Sequence, residues 1–101
     1  MERPQALSLP YKIEFLEEAA EDWLELDRSV RKKLSGAIDR LKSSPDQYGK
    51  PLGTPLQGLR RIRSGDFRIV YRVLDSAKTV EIGVVCHRSR VYDVALKRRL
   101  V

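Results

Sequence analysis

GLRRIRSGDFRIVYRV, residues 58–73, alternates apolar and polar side chains on either side of Ser64-Gly65-Asp66, the pattern of two strands joined by a tight turn. If Gly65-Asp66 is a two-residue loop, Arg63 lies opposite Arg68, Arg61 opposite Val70 and Leu59 opposite Arg72, all on one face because side chains alternate. Ile62, Phe67, Ile69, Tyr71 and Val73 then share the other face, which must be packed under helices. Arg61, Arg63, Arg68 and Arg72 stand together on the uncovered side. The same count turns Arg60 toward the core, so its guanidinium must reach an edge along its aliphatic stem.

Opposed like charges on a sheet cost ~0.2–1 kcal/mol per pair. That cost reverses when a phosphate sits between the two guanidinium groups. Arginine in place of lysine fits this purpose, because its planar fork grips phosphate with two hydrogen bonds and can stack on bases. The competing reading is an open sheet face kept soluble by its charges.

Outward from the hairpin, Tyr11, Ile13 and Phe15 alternate with Lys12 and Glu14, as in a half-buried strand after Pro10. Over 16–26, Leu16, Ala19, Ala20, Trp23 and Leu24 fall on one helical stripe and acidic residues cover the rest, with the early acids at the positive end of the dipole. Asp27 suits the N-cap of a second helix, in which Val30, Leu34, Ile38 and Leu41 recur at helical spacing and Pro45 follows the end. An acidic helix joined by a short turn to a basic one predicts an antiparallel pair, its charge runs being solvated faces with some pairing between the helices.

Residues 45–58 (PDQYGKPLGTPLQG) read as a loop anchored by Leu52 and Leu56. Strands over 59–63, 67–74 and 79–86 follow, the last with Val80, Ile82 and Val84 alternating with Thr79, Glu81 and Gly83, and the tail over 91–100 suits a short helix. The expectation is a single domain over 1–101 of the α+β class: an N-terminal strand, a two-helix antiparallel hairpin, an antiparallel β-meander and a short C-terminal helix, with the helices on one face of the sheet.

Composition narrows the function. Residues 1–56 hold nine Lys/Arg against ten Asp/Glu, whereas residues 57–101 hold eleven against four, so the whole excess behind the net charge of +6 is C-terminal. Such asymmetry points to a polyanion, most often nucleic acid. No apolar run approaches the ~20 residues of a membrane span, and the N-terminal residues lack the basic-then-apolar order of a leader. The single cysteine, Cys86, excludes an internal disulfide and suits a reducing cytoplasm. It reads as a small buried side chain.

No Asp, Glu and His cluster has metal-ligand spacing, so neither a metal nor a cofactor is expected and a two-metal nuclease is disfavoured. RNA can be cleaved without metal by in-line attack of the 2′-OH, and fixed guanidinium groups stabilise the charge that builds on the phosphate oxygens. Arg61, Arg68 and Arg88 suit that role. Arginine itself stays protonated and cannot accept the proton. Tyr92 is read as orienting the nucleotide and assisting proton transfer, and His87 as a hydrogen-bonding residue at a strand end. Trp23 and Tyr71 are read as core residues; Tyr48 is open between packing and contact with RNA.

The order P-x-x-x-G-x-P-L, G-L-x-R-I-R-x-G-D-F-R-I-V-Y and H-R-x-x-V-Y resembles the RelE/ParE superfamily of toxins over residues 11–100, and the His87-Arg88…Val91-Tyr92 ending is more similar to the RelE branch. The resemblance implies a RelE-like microbial RNase fold and an mRNA interferase that cuts messenger RNA in the ribosomal A site. It implies Arg61, Arg68, Arg88 and Tyr92 around the scissile phosphate, with Arg63, Arg72, Arg90 and His87 as further RNA contacts. Leu59 stands where the family usually has a basic residue, and Arg63 is a candidate to compensate. The implied partners are a cognate antitoxin, the ribosome with its mRNA, and operator DNA through the toxin–antitoxin complex. A gyrase inhibitor like the ParE branch is the alternative.

Overall fold

A computed structural model describes residues 10–100; the segment 1–9, read above for a leader, and residue 101 lie outside the described residues. In chain order the elements are β1 (Lys12–Phe15), α1 (Glu17–Leu24), α2 (Arg28–Ser43), α3 (Pro45–Tyr48), β2 (Lys50–Pro51), β3 (Arg60–Ser64), β4 (Phe67–Leu74), β5 (Thr79–His87) and α4 (Val91–Lys97). The α+β architecture is the expected one. No helix among the described residues is long and apolar enough to cross a membrane.

The five strands form one sheet in the order β1-β5-β4-β3-β2. Only β1 is parallel to its neighbour, pairing Lys12 with Thr79 and Phe15 with Ile82. The β3–β4 register is the one required by a two-residue loop: Arg63 faces Arg68, Arg61 faces Val70 and Ser64 faces Phe67. Gly65 at φ +61° supplies the left-handed first position of a type II′ turn.

The helical hairpin of α1 and α2 covers one face. Leu34, Ala37, Ile38 and Leu41 of α2 pack with Ala19, Ile62, Ile69, Tyr71, Val80, Ile82 and Val85. Trp23 is half-buried against this core, meeting Phe15 edge-on at 5.5 Å. The expected ion pairing between the two helices is corrected: among the described residues Glu18 and Asp22 of α1 pair instead with Arg98, just beyond α4.

The opposite face is not bare, which is a second correction. Val91 and Ala95 of α4 pack with Leu56, Leu59, Val70 and Val84 in a smaller core. Leu59 is only 2% exposed there and packs beneath α4. The alternation in β5 also breaks. Val70 pairs with Val84 but Tyr71 with Ile82, leaving Gly83 as an extra residue. Val84 thereby faces α4, while Val80, Ile82 and Val85 face the hairpin. The Leu100 side chain seats against the bare Cα of Gly83, so a Cβ there would push the Leu100 methyls aside.

The 45–58 loop hides two short elements. Pro45 opens α3 at its first position, and Lys50 and Pro51 pair with Arg61 and Arg60 at the sheet edge, the one place a strand accepts proline. Arg60 is turned toward the helical side as the face count requires; its Nη2 donates to the carbonyls of Asp46 and Gly49, both at 2.7 Å, while its Nε is buried without a hydrogen-bond partner. The Tyr71 hydroxyl donates to Pro45 O at 2.7 Å. A Cβ on Gly49 would overlap that hydroxyl.

Candidate active site

Four elements, β3, β4, β5 and α4, and the turn joining the last two deliver side chains to one open cleft of about 390 Å³, lined by Arg61, Arg68, His87, Arg88, Ser89 and Tyr92. The type II′ hairpin fixes Arg61 and Arg68 on the same face. Arg68 curls over the turn, donating from Nη1 to Gly65 O at 2.9 Å and to Phe67 O at 3.0 Å. These neutral acceptors orient the guanidinium and leave its charge uncompensated. Neither Arg61 nor Arg68 is ion-paired among the described residues.

Asp66 at the hairpin tip positions the next cation. Its carbonyl accepts the Arg88 backbone N–H at 2.8 Å, and its Oδ1 lies 3.5 Å from Arg88 Nε. The segment after β5 is thus tied to the β3–β4 turn. Three residues beyond Arg88, Val91 begins a pair with Ala95 that buries fully at helical spacing, which sets the rotation of α4 and leaves Tyr92 38% exposed at the cleft.

His87 is held by its own strand end. Ser89 N–H donates to Nδ1 at 3.1 Å and Ser89 Oγ lies 2.9 Å from the same atom. Nδ1 therefore presents a lone pair, and the proton of the neutral ring sits on Nε2 as a donor. The ring also meets Phe67 edge-on at 5.8 Å. This arrangement suits gripping an anion better than accepting a proton.

The remaining expected contacts lie elsewhere. Arg63 lines an adjoining groove with Arg40, Tyr48, Lys50 and Ile62, sharing only Arg61 with the cleft. Arg72 does not stand free: it donates to Glu81 Oε1 at 2.9 Å and to Leu100 O at 3.0 Å, at the other end of the face. Arg90 occupies the N-cap position of α4 and lines a neighbouring cavity of about 350 Å³ with Cys86, Asp22 and Glu25, which shares His87 with the cleft. Burial pushes the Cys86 thiol above its ordinary range, further from a nucleophilic thiolate.

The positioning residues Asp66 and Ser89 were not singled out in the sequence, although a Gly-Asp turn beside an Arg-rich strand is a readable signal for the first. Among the described residues no group of three His, Cys, Asp or Glu is placed to hold a metal ion. The cleft can bind a phosphodiester, neutralise charge developing on it and present an aromatic ring to a base.

Residues 13–92 match the family model of the ParE toxin of the type II toxin–antitoxin system parDE. Toxin RelE of Mycobacterium tuberculosis is 34% identical over 87 residues, 82% of this chain and 87% of that protein. The mRNA interferase toxin RelE of Escherichia coli K12 is 33% identical over 95 residues, 91% of this chain and 100% of the relative. Among solved structures, the M. tuberculosis toxin–antitoxin complex RelBE2 contains a chain superposing with a TM-score of 0.73 at 33% identity, covering 80% of this chain and 94% of that one.

Proposed function

This chain belongs to the ParE toxin family of type II toxin–antitoxin systems, within its RelE-like branch, and from that premise we propose that it is a ribosome-dependent endoribonuclease that cuts messenger RNA in the A site and so stops translation. The observation that carries this reading is the convergence of Arg61, Arg68, Arg88 and Tyr92 on one cleft with no carboxylate in its lining. The relative named an mRNA interferase supports it.

The chemistry follows from the side chains. The 2′-OH of the bound nucleotide attacks the neighbouring phosphorus in line, the P–O5′ bond breaks, and a 2′,3′-cyclic phosphate and a 5′-OH remain. Negative charge grows on the non-bridging oxygens, and Arg61, Arg68 and Arg88 stabilise it; one such donor is worth about 10²–10³ in rate. His87 donates from Nε2 to the same phosphate. Tyr92 stacks on the base, and its hydroxyl assists removal of the 2′-OH proton.

The cleft is shallow and offers no strong base, so a second body must hold the strand in line; the decoding site of the ribosome, in the cytoplasm, supplies that constraint. The step as written calls on no metal or cofactor. A cognate antitoxin, as in the RelBE2 complex of M. tuberculosis, would cover the cationic surface and displace or brace residues 91–101, and the joint complex would bind operator DNA.

Primer extension on translated messages after induction tests the proposal. Cleavage within coding sequence is expected for the wild type and its disappearance for the triple alanine variant at Arg61, Arg68 and Tyr92. Undiminished cleavage in that variant, or intact messages with stalled gyrase, would overturn it.

A further inference from the structure

Beyond the cleft, the β2–β3 edge carries a second cationic groove of about 140 Å³, lined by Arg40, Tyr48, Lys50, Arg61, Ile62 and Arg63. It meets the cleft at Arg61, the one residue lining both. The sheet register builds it from like charges: Lys50 is the cross-strand partner of Arg61, and Arg63 that of Arg68. Each such pair is unfavourable by itself. Among the described residues none of Arg40, Lys50, Arg61 or Arg63 has a carboxylate partner. The fold thus assembles two adjoining like-charged pairs and leaves their neutralisation to something else.

Tyr48 adds an aromatic surface to the same groove. Its ring is 48% exposed, and the Arg40 guanidinium lies 5.8 Å from its centroid. The ring rides on a fixed mount, since α3 and the residue after it are held by Arg60 at Asp46 O and Gly49 O and by Tyr71 at Pro45 O. A cationic groove with an aromatic platform is the combination that binds single-stranded nucleic acid without reading its sequence.

We infer that this groove is a second nucleotide subsite: single-stranded RNA whose scissile phosphodiester lies in the cleft passes over Arg61, stacks its next base on Tyr48 and sets the following phosphate between Lys50 and Arg63. This rests on the nuclease reading and extends its substrate from one linkage to a strand of several nucleotides. Arg61 acts in both sites, as a phosphate ligand at the cleft and as the step between the two.

Fluorescence anisotropy with two 5′-labelled, non-cleavable probes, 2′-O-methyluridine 3′-monophosphate and a 2′-O-methyl heptauridylate, tests it on the isolated protein. The mononucleotide offers one phosphate and no further base, so it reaches the cleft alone, and the heptamer is expected to bind more tightly. Tyr48→Ala should weaken the heptamer about tenfold, with Tyr48→Phe close to wild type, and Lys50→Ala should lower the logarithmic salt slope for the heptamer by about 0.7. Mononucleotide affinity should hold in all three variants, and an unchanged urea midpoint excludes misfolding. Equal losses for mononucleotide and heptamer, or none for the heptamer, overturn the inference. Arg88→Ala separates it from the premise: unaltered mononucleotide binding and message cleavage in that variant would refute the nuclease cleft, whatever the heptamer does.

Discussion

Two ends of the α4-covered sheet face use arginine in opposite ways. At the hairpin end, Arg61 and Arg68 have no acidic partner among the described residues, and Arg88 has only the exposed carboxylate of Asp66 at 3.5 Å. At the far end, Arg72 is paired with Glu81 at 2.9 Å, and Arg98 donates to both oxygens of Asp22 at 2.7 and 2.8 Å and to Gly83 O at 3.0 Å. Asp22 also accepts the Val85 N–H at 2.9 Å, past the point where β1 stops running beside β5. One residue type therefore builds a scaffold where the fold supplies carboxylates, and an uncompensated cationic cleft where it withholds them.

Substitutions at the two ends should separate cleavage from stability. The largest effect is expected at the unpaired end: Arg68→Ala should slow message cleavage about 10²–10³-fold, roughly 3–4 kcal/mol in the barrier, while its urea midpoint stays within about 0.5 kcal/mol of wild type. A comparable loss of stability would erase the contrast. At the paired end Asp22→Ala strands Arg98, whose side chain is only 15% exposed, and leaves the Val85 N–H unmatched. The expected cost is about 2–3 kcal/mol in urea unfolding.

Tyr71→Phe removes the hydrogen bond to Pro45 O, for about 1 kcal/mol at neutral pH. It should also change the alkaline limb. Burial raises the Tyr71 pKa above that of a free tyrosine, with the Arg60 guanidinium partly opposing the rise, so the neutral form is favoured in the fold. Wild-type stability from this source is complete below about pH 10 and is lost as pH climbs through the raised value. The phenylalanine variant should lack that decline in alkaline urea titrations. Smallest of all, Arg72→Ala should cost about 1 kcal/mol or less, because this pair is part-exposed and screened, and its effect should shrink in high salt.

The β3–β4 hairpin was legible because a Gly-Asp turn leaves one register, and one register assigns every side chain to a face. Arg61 and Arg68 follow from that alone, and the buried pair Val91 and Ala95 then brings Tyr92 to them. What the count of faces cannot supply is the identity of the opposing group. Arg72 sits on the expected face, but Glu81 stands across from it in the next strand, whose register depends on a bulge that no alternation pattern announces. The Arg98–Asp22 pair spans most of the chain and belongs to tertiary packing. Strand β2 was hidden because two residues, one of them proline, carry no period.

The bulge at Gly83 has an evolutionary corollary. Since the surplus residue is absorbed where it occurs, every position after it keeps its alignment with β4, from Val84 opposite Val70 to His87 opposite Phe67. A lineage could therefore have inserted a seat for its C-terminal chain in mid-strand without re-aiming His87 or Arg88, adapting how the toxin closes on itself independently of the shape of its cationic cleft.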